Sequence, residues 1–133
     1  MTRFLFAALA SFFPLLNIAQ EAYWQQKADY IIDVKLDHNS HQFEGNQTVT
    51  YTNNSPDELT KVFFHLYFNA FQPGSSMDVR SRSISDPDPR IGARIAELNE
   101  SEIGFHKMNS ITQDGKDVDF VIEGTVMTVT LNG

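Results

Sequence analysis

The stretches YIIDVKLD (Tyr30–Asp37) and FEGNQTVTYT (Phe43–Thr52) decide the fold, because both alternate apolar and polar side chains. Successive side chains of a β-strand point to opposite faces of the sheet, so this alternation predicts two strands with one apolar face each. The polar run HNSH between them, residues 38–41, favours a turn. We therefore predict an antiparallel hairpin, in which Gly45 marks a bulge or a close approach of two backbones.

The next segment, KVFFHLYFNAF (residues 61–71), is apolar on both faces of a strand. Such a run is typical of a strand that is covered on both sides, and it predicts a strand at the centre of the domain. A helix is disfavoured because the aromatic side chains surround the whole run.

A long polar loop is predicted over Gln72–Asp88. The spacing of Ile91, Ile95 and Leu98 then predicts a short amphipathic helix with Pro89 in its first turn. Loops of this length are uncommon in compact domains unless they have a function. We expect the whole excursion, residues 72–100, to pack against something beyond this chain.

The C-terminal third again has the pattern of strands. Residues 105–112 form a weak candidate strand, and Asp114-Gly115 is a strong signal for a two-residue hairpin turn. Alternation over residues 118–123 and the run TVMTVTL (residues 125–131) predict two more strands around a turn at Glu123-Gly124. The predicted fold class is mainly β: an antiparallel β-sandwich or saddle-like domain with a short helical excursion.

The N-terminus has the pattern of a secretory signal peptide over residues 1–19. Arg3 precedes an uncharged apolar run, Phe4–Leu16, that is shorter than the roughly 20 residues needed to span a bilayer. Cleavage after Ala19 would leave residues 20–133 as one β-domain, exported to the periplasm or the extracellular space and not attached to a membrane. The alternative is a buried N-terminal helix of a cytosolic domain.

Composition excludes one class of partner and one source of stability. The chain has 10 Lys and Arg against 17 Asp and Glu, a net charge of −7. Nucleic acid is therefore not expected as a partner, because phosphate contacts need clustered cations. With no cysteine, the fold cannot use disulfides and must be held by burial.

Motifs for catalysis or metal binding are absent from the sequence. The four histidines, His38, His41, His65 and His106, do not form the H-E-x-x-H pattern, and no nucleophile or phosphate-binding motif occurs. The run Arg80-Ser81-Arg82 could clamp a carboxylate or a phosphate, although three residues carry little weight. We predict no catalytic, cofactor-binding or metal-binding residue in this chain.

An ordered set of short blocks resembles a known family. The most specific are His65-Leu66-Tyr67 and Asn69-Ala70-Phe71, and they lie in the stretches YWQQKADYIIDVKLD (residues 23–37) and FEGNQTVTYTNNSPDELTKVFFHLYFNAF (residues 43–71). The loop PGSSMDVRSRSISDPDPRIGARI (residues 73–95) continues the likeness. Together these blocks resemble the N-terminal β-domain of M1-family zinc metallopeptidases, in particular the secreted Bacteroidetes-type branch.

The resemblance implies a parent enzyme and a non-catalytic role for this part of it. Such enzymes are aminopeptidases that hydrolyse N-terminal residues from peptides. Their zinc is held by H-E-x-x-H and a downstream Glu, and a Gly-x-Met-Glu-Asn-type strand recognises the free amine. Neither motif occurs in residues 1–133. The implied partner is therefore a missing C-terminal catalytic domain, and zinc is expected in the full-length parent but not in this chain.

A second hypothesis is a stand-alone exported β-sandwich binding module. It would bind a protein or a glycan through the aromatic strand or the long loop. The sequence stops at Asn132-Gly133, in what is predicted to be a turn, whereas a self-sufficient sandwich is expected to end after a closing strand. We therefore favour the peptidase-domain hypothesis.

Overall fold

The computed structural model describes residues 23–86 and 88–132, so the predicted signal peptide lies outside the described residues. All strand pairs are antiparallel. The mainly β class with a short helix is confirmed. The elements are β1 (Lys27–Asp37), β2 (Gln42–Thr52), β3 (Lys61–His65), a 3-10 helix (Tyr67–Phe71), α1 (Ser76–Ser83), β4 (Thr112–Gln113), β5 (Lys116–Asp117), β6 (Phe120–Glu123) and β7 (Val126–Thr130).

The chain divides into two compact units, Met1–Pro56 and Asp57–Gly133. No helix in the described part of either unit is long and apolar enough to cross a bilayer.

The described part of the first unit is built on the predicted hairpin of β1 and β2. Its register is continuous, from Lys27 opposite Thr52 to Asp37 opposite Gln42. The Asp37 carboxylate closes the turn by accepting hydrogen bonds from the Ser40 hydroxyl at 2.8 Å and the Asn39 backbone N–H at 2.9 Å. The hydrogen bond from the Ser40 hydroxyl, and to a smaller extent that from the Asn39 N–H, lowers the pKa of Asp37.

At the open end of the hairpin, Gln26 joins the two chain segments. Its side-chain amide donates to Asn53 Oδ1 and accepts from the Asn54 backbone N–H, both at 2.8 Å. Both ends of the hairpin are therefore closed by side-chain hydrogen bonds.

Gly45 is a site of close backbone approach and not a bulge. The register passes through it without an extra residue. A Cβ atom at this position would lie 2.8 Å from the carbonyl oxygen of Asp33 and 3.3 Å from Cγ2 of Val34. Of the two alternatives that the sequence left open, the structure selects the close approach, and only glycine fits there without a shift of the β1 backbone.

The second unit contains a three-stranded sheet in the order β3-β7-β6. β7 lies in the middle, and its residues Met127 and Val129 are each only 2% exposed. They form the core together with Leu66 and Val118. Partly buried side chains pack around this core: Val62, Phe64, Met108, Ile111 and Phe120.

The prediction of one central strand over residues 61–71 is wrong in two respects. The strand ends at His65, and β3 lies at the edge of the sheet. Leu66 leaves the strand with φ −93° and ψ 78°, and the Asn69 N–H then donates to the Leu66 carbonyl at 3.1 Å. The chain turns into the 3-10 helix because this local bond, and not a second neighbouring strand, satisfies the backbone.

The predicted loop over residues 72–88 contains α1, and the helix predicted over residues 91–98 is replaced by consecutive turns. Four backbone bonds between residues 91 and 98 span three residues each. Gly92 has a φ of +47°, which is outside the helical region. The excursion does contain a short helix, but it begins earlier in the chain than predicted.

Two predicted turns are confirmed and one predicted strand is not found. Asp114 and Gly115 join β4 to β5. Their φ values of 51° and 79° are both positive, as a type I′ hairpin turn requires. A turn at Gly124, φ 58°, joins β6 to β7. Of the strand predicted over residues 105–112, only the last residue lies in a strand.

Replacing Gly45 tests the close approach in the hairpin. We expect Gly45→Ala to lower the free energy of opening of β1 and β2 by about 1–3 kcal/mol, because the added methyl group forces the strands apart. Amide hydrogen exchange of the two strands measures this change. Gly104→Ala is the matched control, since nothing lies within 4 Å of its Cβ position. Equal hydrogen-exchange protection of β1 and β2 in Gly45→Ala and Gly104→Ala would show that the strands accommodate the methyl group without a loss of stability.

Candidate functional site: the hairpin face and the Asn69 cluster

The continuous register of the hairpin places all its alternating apolar residues on one surface, which we call the hairpin face. Six of its large apolar side chains are between 44% and 68% exposed, and Val49 is half-buried. The opposite surface is polar apart from Ile31, and a 2.7 Å ion pair between Lys27 and Asp29 lies on it. The hairpin face consists of Ala28, Tyr30, Ile32, Val34, Leu36, Phe43, Gly45, Gln47, Val49 and Tyr51.

An apolar surface of this kind favours coverage by another element. A two-stranded hairpin is at best marginally stable in water, and sheets gain stability when a hydrophobic face packs on something. Full burial of one such side chain contributes about 1.5–3 kcal/mol. Contiguous exposed apolar patches often mark protein–protein contacts. The hairpin face is therefore a candidate docking surface.

A smaller apolar patch lies on the outer side of the three-stranded sheet. Phe63 on β3 and Val121 on β6 are 69% and 61% exposed, and both lie opposite Thr128 of β7. Val126 adds a further half-exposed side chain at the end of the sheet. This outer patch is interrupted by a hydroxyl and is much smaller than the hairpin face.

A buried amide organises the block that carries the family resemblance. Asn69 is 6% exposed; its Nδ2 donates to the Gly124 carbonyl at 3.1 Å, and its Oδ1 accepts from the His106 backbone N–H at 2.9 Å. The side chain thereby joins the 3-10 helix to the turn between β6 and β7 and to the irregular segment at residue 106. We call this group the Asn69 cluster.

Two histidine rings flank the Asn69 cluster and pack on aromatic neighbours. The His65 and Tyr67 rings lie 4.1 Å apart, and the Phe68 and His106 rings meet edge to face at 5.3 Å. His65 Nε2 is also 3.2 Å from the Thr125 hydroxyl. These contacts give both rings a role in packing.

The other two histidines, His38 and His41, lie in the turn of the hairpin. Among residues 23–86 and 88–132, no group of three or more His, Asp or Glu side chains could hold a metal ion. Zinc binding by a full-length parent protein stays a prediction.

The basic run in the excursion has a structural partner. Asp78, 1% exposed, accepts hydrogen bonds from Arg82 Nε at 2.9 Å, Arg82 Nη2 at 3.0 Å and the Gly74 backbone N–H at 2.8 Å. The Arg82 guanidinium is therefore engaged with Asp78 through Nε and Nη2. Ser81 lies buried between Arg80 and Arg82 and donates to the Gly92 carbonyl at 2.8 Å.

A local signal for α1 was present in the sequence. The Ser75 hydroxyl accepts from the Asp78 N–H at 3.1 Å, as an N-cap does. A Ser followed three residues later by an acidic residue is a known helix-start pattern. The polar character of the segment hid this signal, because α1 has no apolar stripe that periodicity would reveal.

The Asn69 cluster can be tested by removing the amide. We expect Asn69→Ala to lower the stability of the three-stranded sheet by about 1–3 kcal/mol, because it leaves a carbonyl and an N–H without their partner. Hydrogen exchange of the β3, β6 and β7 amides measures the loss. Asn109→Ala, at an exposed position, is the control and should stay within about 0.5 kcal/mol of the natural chain.

The Asp78 ion pair predicts loss of α1 at low pH. The hydrogen bonds from Arg82, and then that from the Gly74 N–H, lower the pKa of Asp78. A carboxylate with a lowered folded pKa stabilises the fold above its unfolded pKa of about 3.9, and this contribution disappears as the pH falls through the folded pKa. Protection factors of the α1 amides should therefore be high at pH 6 and fall below pH 4.

Asp78→Asn should abolish this pH dependence and give low protection already at pH 6. Asp86→Asn, which changes an exposed carboxylate, is the matched control and should behave like the natural chain. Unchanged protection of α1 in Asp78→Asn at pH 6 would contradict the role of the ion pair.

Comparison with known proteins identifies no relative: no family model matches the chain, and neither a curated protein nor a solved structure is similar to it. The likeness to the M1-family β-domain therefore rests on the quoted sequence blocks alone.

Proposed function

We propose that this chain is the non-catalytic N-terminal β-domain of an exported M1-type zinc aminopeptidase, packed beside a C-terminal catalytic domain. The observation that carries the proposal is the exposed hairpin face. Six of its large apolar side chains are each at least 44% exposed, and the described part of the unit, residues 23–56, contains two strands. A surface of this kind suits a domain whose neighbour in the same protein covers it.

The Asn69 cluster supports a scaffold role. The block with the most specific likeness to the family contains His65 and Asn69, residue types that could do chemistry. Here the Asn69 amide bonds to backbone groups on both sides, and the His65 ring packs on Tyr67. These interactions serve the fold, which agrees with a domain that supports a catalytic site and does not contain one.

In the proposed parent, zinc and the peptide substrate belong to the catalytic domain. Zinc would be held by H-E-x-x-H and a later Glu, where it activates a water molecule for attack on the peptide bond. The contribution of this chain would be to hold one wall of the cleft in place. After removal of Arg3 with the signal peptide, the net charge of this domain would be −8 (9 − 17), which favours its solubility after export.

A stand-alone binding module for a protein or a glycan is the second candidate. The observation that favours it is the exposure of Phe63, Tyr67 and Phe68, at 69%, 68% and 51%. Exposed aromatic side chains are frequent in recognition surfaces. The two candidates differ in what covers the apolar surfaces: a domain of the same protein, or a separate ligand.

The coding DNA beyond Gly133 separates the two candidates. We expect an open frame that continues into a Gly-x-Met-Glu-Asn-type strand and then H-E-x-x-H with a later Glu. Expression of that frame should give a zinc-dependent aminopeptidase that chelators inactivate. A stop codon directly after Gly133 would contradict the peptidase-domain proposal and leave the binding module.

The same proposal predicts that the isolated chain exposes an apolar surface to solvent. The isolated mature chain, residues 20–133, should bind an apolar fluorescent dye, and Ile32→Lys should reduce the signal because Ile32 lies on the hairpin face. Ile31→Lys is the matched control: it adds the same charge on the opposite face, at a residue that is 68% exposed. A folded chain that binds no dye, or equal loss in both variants, would count against the hairpin face as a docking surface.

A further inference from the structure

The outer edge of β2 lacks the features that normally protect an edge strand. Within the described residues β2 pairs only with β1, so its other edge carries no strand. Its last eight residues, GNQTVTYT (residues 45–52), contain no charged residue and no proline. Natural edge strands are usually protected by charges, proline or bulges, and the register through β2 contains no bulge.

The side chains of β2 are also accessible. All of them are exposed except Val49, which is half-buried. The threonines at 48, 50 and 52 give the strand high β-propensity. A long, accessible strand whose last eight residues are uncharged is able to accept a further strand.

The described part of the first unit, residues 23–56, contains only the two strands β1 and β2. Two strands with a hydrophobic face are marginal in water, whereas three or more form an independently stable sheet. A strand added to the edge of β2 would bring the hairpin above that minimum.

We propose that β2 pairs antiparallel with β2 of a second copy of this chain, around a two-fold axis at Gln47. The result is a four-stranded sheet in the order β1-β2-β2-β1. In this register all eleven residues of β2 have a partner, from Gln42 opposite Thr52 to Asn46 opposite Thr48.

A second copy fits this edge because the pairing is self-complementary. The register pairs residues of the same face, so the hairpin faces of the two copies join into one surface. Phe43 of each copy lies opposite Tyr51 of the other, an aromatic pair that stabilises sheets. Glu44 is the one charged residue of β2, and it faces Thr50, so no like charges meet.

The association is expected to be weak, and it is independent of the proposed function. Edge pairing of one strand buries less than the roughly 800 Å² per partner of a standard interface. It uses the backbone edge of β2, whereas the peptidase-domain proposal uses the hairpin face and the coding frame beyond Gly133. Failure of one proposal therefore leaves the other standing.

Two double variants of the full chain test the register. Asn46→Lys with Thr48→Glu places Lys opposite Glu between the copies, and Asn46→Lys with Thr48→Lys places Lys opposite Lys. Inside the hairpin, both variants keep the new lysine at position 46 across from Asp33 and the side chain at position 48 across from Ile31. They therefore differ in the pairing between copies and little in the hairpin itself.

Net charge alone predicts the opposite result. The Lys–Glu variant keeps the net charge at −7 (−7 + 1 − 1), and the Lys–Lys variant lowers its magnitude to −5 (−7 + 2). Weaker overall repulsion would favour association of the Lys–Lys variant. Edge pairing disfavours it, because like charges directly opposite each other destabilise a sheet.

Sedimentation equilibrium over a wide range of protein concentration measures the association. We expect the natural chain and the Lys–Glu variant to form dimers, and the Lys–Lys variant to have a dissociation constant at least about tenfold larger. A natural chain that stays monomeric would overturn the proposal, and so would a Lys–Lys variant that associates as well as the natural chain.

Discussion

The period-two alternation of apolar and polar side chains along β1 and β2 is the constraint on which the hairpin and its proposed functions depend. Because the register is continuous over eleven pairs, every apolar residue from Tyr30 to Leu36 that alternates in this way reaches the same surface. Two strands cannot bury such a surface between them. Over residues 23–56 the first unit is thus a hairpin of marginal stability, with an exposed apolar face and an edge of β2 that no described strand pairs with. The two proposals each use one of these features: the peptidase-domain proposal uses the apolar face, and the proposed pairing of two copies uses the edge.

The second unit, in contrast, buries apolar side chains of its own sheet. β7 lies between β3 and β6, and its residues Met127 and Val129 reach almost complete burial. The Asn69 amide then ties the irregular segments to this sheet through bonds to Gly124 and His106. A polar side chain is tolerated in the core because both ends of its amide are bonded. The Asn69 side chain, which lies in the block that resembles the M1 family, therefore contributes to holding the fold.

The excursion after the 3-10 helix is held by its own interactions. Asp78 is buried with three hydrogen bonds, and Ser81 joins α1 to the turns that follow it. The ion pair with Arg82 fixes the one helix of this region, although that helix has no apolar stripe. The expectation that the excursion packs against something beyond this chain stays a prediction. Any such contact surface of the excursion would include α1, which is a folded element.

The sequence by itself determined the elements that depend on neighbouring residues. Alternation gave the β1–β2 hairpin and its apolar face, Asp114-Gly115 gave the β4–β5 turn, and the mainly β class followed from these patterns. Only the three-dimensional structure showed that the strand stops at His65. There the Leu66 carbonyl accepts from the Asn69 N–H, and the Asn69 side chain bonds to groups 37 and 55 residues away. The tertiary structure also decided that β7 is central and that no described strand pairs with the outer edge of β2. Local patterns report which face of a strand is apolar, but the partner that covers that face lies far along the chain or outside it.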